Sequence, residues 1–368
     1  VYDAERCVMC TRCIRFMEEV AKDPVLDMRE RGNLNEIFVA PGRQLEGHYT
    51  FMTEHVCPVG ALTTKDFRFK ARVWFLRSAK SVCQGCATGC NAHLDFDPRH
   101  NKVYRYRPRD NEAVNKYWMC DEGMLSYRAA HVGRVTLPKV KGKKSTTEAA
   151  IADVGKRLRD AARDGLAFVL SAQHSLEDNW ALREVARLAG AKSIYVTGAG
   201  AGYKDDILID GDKNSNTAGV LDLVATARPF SELVDDIRAG RVAHVVALGG
   251  VTPRNDPEDA TALGMLSTLV VVAAHEGALT EPAHVLLPAT SWAEHAGTYI
   301  NRQGFRQLAE KAIEPQGSSR PAWETLRAIA VALGLQPTWN KLKDIRGQLV
   351  TATVSSAVTV APSALPPQ

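Results

Sequence analysis

The chain has 368 residues, of which 45% are hydrophobic and 24% charged, and its formal net charge at pH 7 is +4. This composition is that of an ordinary globular protein with room for two or three domains. No apolar run reaches the roughly 18 residues of a membrane span. The positive excess is small and is not interleaved with aromatic residues, which argues against nucleic-acid binding.

All eight cysteines lie within the first 120 residues, where they form two groups of four. Metal-binding thiolates have to be bunched on loops, whereas unrelated cysteines would be scattered. Disulfides are disfavoured, because Cys-x2-Cys pairs are too tightly spaced for ordinary bridges and a chain of this length seldom needs them. The distribution therefore predicts two four-thiolate metal sites in a reducing compartment.

The first predicted domain, residues 1–77, contains the first quartet: Cys7, Cys10, Cys13 and Cys57. Three thiolates at Cys-x2-Cys-x2-Cys spacing can bind three corners of a cubane cluster, and a remote cysteine takes the fourth. A short amphipathic helix is predicted over residues 14–21. Pro58 ends the local structure directly after the last predicted ligand. This segment therefore predicts one [4Fe–4S] site.

The second predicted domain, residues 78–137, contains the second quartet: Cys83, Cys86, Cys90 and Cys120. Residues 92–97 and 103–107 alternate apolar and polar side chains, and residues 97–101 (DPRHN) have the composition of a turn. They predict a β-hairpin between Cys90 and Cys120. The hairpin would return the chain so that Cys120 completes a second [4Fe–4S] site.

Zinc is the alternative metal, because four-cysteine zinc ribbons also contain Cys-x2-Cys pairs. Zinc sites usually combine two pairs, however, whereas both quartets here have three cysteines together and one apart, which favours iron–sulfur clusters. His48 and His55 lie near Cys57 in sequence and could hydrogen-bond a cluster sulfur. They show no tight ligand spacing, so packing histidines are the preferred interpretation.

The third predicted domain, residues 138–345, begins with a basic, polar linker at residues 138–147 (PKVKGKKSTT). Strands and helices then alternate, which implies a parallel sheet and an α/β fold. Strands are predicted at residues 167–171, 193–196, 242–248, 268–273 and 284–287, and helices at residues 176–188, 230–238 and 323–333. The tail, residues 346–368, ends in a Ser-, Ala-, Val- and Pro-rich stretch and is predicted to be disordered.

No catalytic machinery is visible in the sequence. Residues 197–202 (TGAGAG) follow a predicted strand but lack the G-x-G-x-x-G spacing that opens a helix, so they predict a turn. Gly249 and Gly250 likewise predict a turn at a strand end. Every cysteine is already assigned to a metal site, and the His and Asp residues are dispersed. We therefore expect no substrate-binding catalytic site on this chain.

Residues 6–16 (RCVMCTRCIRF), 56–63 (VCPVGALT) and 65–74 (KDFRFKARVW) closely resemble the large iron–sulfur subunit of NADH:quinone oxidoreductase (respiratory complex I), known as its G subunit. The resemblance implies that Cys7, Cys10, Cys13 and Cys57 hold an all-cysteine [4Fe–4S] cluster that conducts electrons. It also implies a ferredoxin-like N-terminal segment. Members of this family have a [2Fe–2S] domain ahead of this region. Because the chain begins at Val1, we expect an N-terminal part to precede it.

The second quartet resembles the cluster-binding start of the molybdopterin oxidoreductase superfamily. Residues 286–294 (LLPATSWAE) and 297–304 (GTYINRQG) resemble a further stretch of the same superfamily. This resemblance implies an α/β domain of molybdopterin-oxidoreductase type. Molybdenum members usually have a Lys two residues after the last cysteine, whereas here that residue is Glu122. Because no cysteine is left to bind the metal and the chain is short, no molybdopterin is expected.

The resemblance implies an electron-transfer subunit that relays electrons from NADH oxidation toward quinone. The second cluster would then be structural or a side branch. The implied partners are the NADH-oxidising flavin subunit and the quinone-proximal iron–sulfur subunits, at the cytoplasmic side of the bacterial inner membrane. The alternative hypotheses are a fragment of an NAD-linked molybdenum or tungsten formate dehydrogenase, and a zinc-stapled interaction module.

Overall fold

The structure is a computed structural model that describes residues 1–30, 32, 34–159, 161, 165–254 and 256–355. Its N-terminal part has little regular structure. An antiparallel pair of short strands is the largest element, with Leu26 opposite Val39. The predicted helix over residues 14–21 is a shorter α-helix followed by a π-helical turn, Phe16–Val20. The elements of this part are α1 (Arg12–Arg15), β1 (Leu26–Arg29), β2 (Glu36–Val39) and α2 (Met52–Val56).

The next part is a three-stranded antiparallel sheet in the order β3-β4-β5. The predicted hairpin is confirmed as β4 and β5, and Asn101 makes the turn in the left-handed region at φ 50°. β3 was not predicted, because its sequence, RSAKSV, gives no clear alternation of polar and apolar residues. The elements are β3 (Arg77–Val82), β4 (Asn91–Asp97), β5 (Lys102–Pro108) and α3 (Asp121–Leu125).

These first two parts share one hydrophobic core rather than two. That core contains Cys13 and Phe16 from the first part, Cys83 and Cys120 from the second, and Trp292 from the third. Phe16 and Trp118 pack with their ring centroids 5.0 Å apart. The two cysteine quartets are therefore held in one packed unit.

The third part is built on an eight-stranded sheet in the order β10-β9-β8-β11-β12-β13-β6-β7. Strands β8 to β13 are all parallel, so the predicted α/β fold is confirmed. Its strands are β6 (Lys139–Val140), β7 (Lys143–Lys144), β8 (Leu166–Ser171), β9 (Ser193–Thr197), β10 (Arg228–Pro229), β11 (His244–Leu248), β12 (Thr268–Ala273) and β13 (Val285–Pro288).

Helices cover both faces of this sheet. Phe168 and Leu170 of β8 pack into a core with Trp180 and Leu326, whereas the alternate residues Ala167 and Val169 face the opposite core. This alternation follows from the two-residue period of a strand. The helices are α4 (Thr147–Leu158), α5 (Leu176–Ala189), α6 (Thr217–Leu223), α7 (Phe230–Arg238), α8 (Pro257–Gly264), α9 (Ala322–Ala332) and α10 (Leu342–Ser355).

Two sequence predictions are wrong in this part. The predicted linker forms the hairpin β6–β7, which adds to the sheet antiparallel to β13. Its two-residue turn, Lys141 and Gly142, is left-handed at both positions, as tight hairpins require. The predicted disordered tail overlaps α10, so residues 346–355 are helical. Residues 356–368 of that predicted tail lie outside the described residues.

A second antiparallel hairpin, β14 (Gly297–Ile300) and β15 (Arg306–Ala309), joins the sheet domain to the loops of the second quartet. Gln307 Nε2 donates to Gly89 O at 2.8 Å, and Asn301 Nδ2 donates to Thr88 O at 3.1 Å. The hairpin, together with Asn301 of the GTYINRQG stretch, therefore supports the loop between Cys86 and Cys90. Among the described residues, no helix combines the length and apolar character that crossing a bilayer requires.

Candidate metal centres

The first quartet surrounds a single cavity. Cys7, Cys10, Cys13 and Cys57 all line it. Met9 and Thr11, which separate the first three cysteines, both have left-handed backbones, with φ 50° and 59°. These sharp bends fold the Cys-x2-Cys-x2-Cys segment around the cavity. Cys13 is buried and Cys10 is exposed, so the cavity lies close to the surface.

The surroundings of Cys57 favour its negatively charged thiolate form. It follows directly after α2 and opens a tight turn in which Gly60 has φ 65°. Burial alone would raise the pKa of Cys57, but the backbone amides of residues 59–62 hydrogen-bond its sulfur and lower the pKa below its ordinary value. Amide hydrogen bonds to a thiolate are a usual feature of iron–sulfur ligation. In contrast, burial raises the pKa of Cys13 to about 11.

The second quartet is buried throughout. Cys83, Cys86, Cys90 and Cys120 line one small cavity together with Gly85 and Gly123. Gly85 N donates to Cys83 Sγ at 3.4 Å, and Gly123 N donates to Cys120 Sγ at 3.3 Å. A Cβ at Gly123 would lie 3.0 Å from Cys83 Sγ, so the absence of a side chain there keeps the two sulfurs close to the backbone.

Burial raises the pKa of three thiols of the second quartet, which favours their neutral form. Burial raises the pKa of Cys120 to about 12, and burial raises the pKa of Cys83 and Cys90 well above the ordinary value. Four thiolates so enclosed need a cationic group to offset their charge. Both donor sets, all thiol and partly hydrogen-bonded by backbone amides, fit an iron–sulfur cluster.

A cation from a distant segment lies beside the second quartet. Lys213 Nζ is 3.2 Å from Glu122 Oε2, and both side chains line the same cavity as the cysteines. The loop that carries Lys213 is attached to the cysteine loop, because Ala87 N donates to Asp212 O at 2.8 Å. Sequence reasoning noted the Glu122 departure but missed Lys213, which lies 91 residues away in the chain.

Asp121 connects the two quartets. Its carboxylate accepts hydrogen bonds from Thr50 N and Phe51 N, both at 2.9 Å, and its own amide donates to His48 O at 2.8 Å. Burial raises the pKa of Asp121. The residue after Cys120 therefore orders the segment that leads to α2 and Cys57.

The two histidines near Cys57, His48 and His55, pack against neighbouring parts of the chain. The His48 ring stacks on Tyr203, with centroids 4.1 Å apart. Burial lowers the pKa of His55 to about 4, so that ring is neutral at pH 7. Within the described residues, no group of three or more His, Cys, Asp or Glu side chains is arranged to hold a single metal ion.

A third cavity, of about 240 Å³, lies beside the carboxyl ends of β8 and β11, where the strand order of the parallel sheet reverses. Such switch points are the usual ligand sites of doubly wound sheets. Three histidines line it: His174, His275 and His295. Sequence reasoning missed this grouping, since the residues come from three loops. His174 and His295 each lie 3.6 Å from the buried carboxylate of Asp178.

This cavity does not fit a molybdopterin cofactor. Its volume is below the roughly 300 Å³ of small ligand pockets, and a pterin cofactor is larger than most small ligands. Its described lining contains no Lys or Arg that would bind the phosphates. All eight cysteines lie at the two quartets instead, so none reaches the cavity to ligate a metal.

Three family models match successive parts of the chain. The ferredoxin-like domain of NADH-quinone oxidoreductase subunit 3 matches residues 1–63. The Fe4S4 domain of molybdopterin oxidoreductase matches residues 76–131. The molybdopterin oxidoreductase model matches residues 171–332. Each quartet falls within one of the two cluster-domain matches, which supports iron–sulfur rather than zinc binding.

Curated relatives are named as subunits of one enzyme. The NADH-quinone oxidoreductase G subunit of Streptomyces coelicolor is 34% identical over 51% of this chain and 22% of its own length. The G subunit of Mycobacterium tuberculosis is 30% identical over 66% of this chain and 27% of its own length. Subunit 3 from Thermus thermophilus is 31% identical over 51% of this chain and 24% of its own length. The chain thus spans about a quarter of the length of these relatives.

The fold is also that of a solved structure. Acetylene hydratase from Pelobacter acetylenicus aligns with a TM-score of 0.55 over 75% of this chain and 72% of that chain. The sequences are only 10% identical, so the likeness concerns the fold alone.

Proposed function

Since this chain belongs to the family of the NADH-quinone oxidoreductase G subunit, we propose that it is an electron-transfer subunit, which relays electrons from NADH oxidation toward quinone. The observation that carries this proposal is the first quartet. Cys7, Cys10, Cys13 and Cys57 line one cavity near the surface, within the segment that matches the ferredoxin-like domain. The chain spans part of its relatives' length, so turnover is proposed for the assembled enzyme.

We assign one [4Fe–4S] cluster to each quartet, with the cysteines as the only ligands. A bound [4Fe–4S] cluster accepts and releases single electrons. The protein supplies four thiolates at each site and amide hydrogen bonds to Cys57, Cys83 and Cys120. These amides offset negative charge on the sulfurs and so favour the more reduced state.

The two clusters are proposed to have different roles. The first quartet has one exposed member, Cys10, so a partner's redox centre can approach that side. The second quartet is buried, and Leu208 and Ile209 of the sheet domain line its cavity. We therefore place the first cluster in the electron path and treat the second as structural or a side branch.

The proposed partners are the NADH-oxidising flavin subunit and the quinone-proximal iron–sulfur subunits, with the complex bound peripherally at the cytoplasmic face of the inner membrane. The α/β domain, residues 138–345, would act as a scaffold. The predicted divisions at residues 77, 137 and 345 are kept as proposals. The formate dehydrogenase alternative is not favoured, since the relatives above are named as NADH-quinone oxidoreductase subunits.

The proposal is tested by removing one ligand from each quartet in the native complex. Cys10→Ala should remove one EPR-detectable cluster and abolish NADH:quinone turnover. Cys86→Ala should remove the other cluster and leave most of the turnover, provided the complex assembles. Full turnover in the Cys10→Ala variant would refute the assignment. A metal count that finds zinc without acid-labile sulfide, or stoichiometric molybdenum, would favour the two alternatives instead.

A further inference from the structure

Four large apolar side chains are exposed within seven consecutive residues. Phe69 is 89% exposed, Trp74 74%, Val73 56% and Phe75 46%. We call these four residues the aromatic patch. Single exposed apolar side chains are common, but a contiguous group of this size marks an interaction surface. The patch follows the ferredoxin-like segment and ends just before β3, outside both cysteine cavities.

The backbone holds Phe69 outward at an energetic cost. Its φ of 63° lies in the left-handed region, which a bulky residue rarely occupies. Conformations of this kind persist where the surrounding structure requires them, and they are concentrated at functional sites. Within the chain the Phe69 ring contacts the Arg68 guanidinium, which lies 4.8 Å from its centre, but most of its surface remains exposed. The compensating contact is expected from another molecule.

The aromatic patch borders a groove of about 360 Å³ whose charge is mainly positive. Phe69 and Phe75 form part of its wall, together with Lys70, Arg72 and Arg99. The Arg99 guanidinium lies 4.0 Å from the centre of the Phe75 ring, and that of Arg72 lies 5.8 Å from the Trp74 ring. Lys70 is paired with Asp66 at 3.3 Å, whereas stacking on Trp74 leaves the N–H donors of Arg72 available.

Among the described residues that line the groove, the one carboxylate, Asp97, already has hydrogen-bond partners within the chain. Asp97 accepts from Arg99 Nη2 at 2.7 Å and lies 3.0 Å from His100 Nδ1. The hydrogen bond from Arg99 is the main reason that the pKa of Asp97 is well below its ordinary value. For Arg72, no ion pair occurs among the described residues. Its positive charge is therefore available to a ligand.

We propose that this groove docks an acidic segment of a partner protein, with an apolar side chain of that segment packed against Trp74 and Phe69. Trp and Arg dominate the binding energy of protein interfaces, and complementary charge sets their specificity. A membrane surface suits the groove less well, because a flat bilayer does not match the concave wall between Phe69 and Phe75. This docking does not depend on whether either cysteine quartet conducts electrons.

A photo-crosslinker placed at Trp74 tests the proposal in the full protein within its native complex. We expect crosslinks to one segment of another protein that is rich in Asp and Glu. Arg72→Glu should reduce the yield about tenfold, as expected for the loss of a cross-interface charge pair. Raising the ionic strength to about 0.5 M should also weaken it. The same crosslinker at Phe305, which is 44% exposed in the β14–β15 turn, is the matched control.

Several outcomes would overturn the proposal. They are crosslinks to lipid, crosslinks to other parts of this chain, crosslinks to a segment without acidic residues, and a yield no higher than at Phe305. Circular dichroism and the EPR spectra of both clusters should be unchanged in the Arg72→Glu protein, because its side chain lies outside the cysteine sites. If the unsubstituted protein shows no EPR signal from either cluster, that result contradicts the proposed electron relay and not the docking of the acidic segment.

Discussion

An almost completely buried ion pair, Arg134 with Glu294, links the part of the chain that contains the second quartet to the sheet domain. Arg134 Nη2 lies 2.6 Å from Glu294 Oε2, with side-chain exposures of 2% and 0%. Arg134 also donates through Nε to Ala274 O at 2.9 Å, at the end of β12. Glu294 accepts from Ser291 N at 2.7 Å as well. The pair therefore joins the segment after α3 to the loops that follow β12 and β13.

We predict that Arg134→Met destabilises the protein by about 3–5 kcal/mol, because it leaves the Glu294 carboxylate buried without its counter-charge. The double variant Arg134→Met with Glu294→Gln should lose less than the sum of the two single variants, since it buries no unpaired charge. Urea unfolding followed by circular dichroism measures these differences.

The exposed pair between Lys139 and Glu276 provides the control, with a separation of 3.8 Å and side-chain exposures of 40% and 61%. Lys139→Met should cost no more than about 1 kcal/mol, since exposed pairs contribute little. If Arg134→Met costs no more than Lys139→Met, the buried pair does not fasten the two parts and the reasoning fails. A double variant as unstable as the sum would contradict the coupling.

Three further predictions concern the cluster surroundings and pH. Gly123→Ala should reduce the iron and sulfide content by about half through loss of the second cluster, whereas Gly85→Ala, whose Cβ would lie 3.5 Å from the nearest sulfur, should retain both. In an EPR redox titration, Lys213→Met should lower the reduction potential of the second cluster and Glu122→Gln should raise it, because reduction adds negative charge to the cluster. If both variants have the reduction potential of the parent protein, neither side chain influences the cluster. Hydrogen bonds from Tyr195, Arg228 and Arg241 outweigh burial and lower the pKa of Asp236 to about 2. Its stabilisation should be complete above about pH 5 and be lost progressively toward pH 1, so Asp236→Asn should be less stable than the parent at pH 7 and about equally stable near pH 1, as thermal unfolding can check.

Much of the sheet domain could be predicted because its strands are buried on both faces. The strands β8, β11 and β12 are nearly continuous apolar runs, and the helices between them have a clear period, so element types followed from local pattern. The hairpin β6–β7 was misread as a linker, because its two-residue strands are basic and polar and form only by pairing with β13. Helix α10 was misread as part of a tail for a similar reason. Its isolated sequence is weakly patterned, yet Ile345 packs completely buried in the sheet domain core.

The sequence by itself determined the two cysteine quartets, because ligand spacing within a loop is a local property that three or four residues encode. It also indicated the family that the chain resembles, through short motifs that need no tertiary context. Only the tertiary structure decided what surrounds those quartets. The Lys213–Glu122 pair, the shared core and the grouping of three histidines at the switch point each bring together residues far apart in the chain. The exposure of the aromatic patch was decided in the same way, because burial depends on which distant surfaces fold over a segment and not on the segment's own composition.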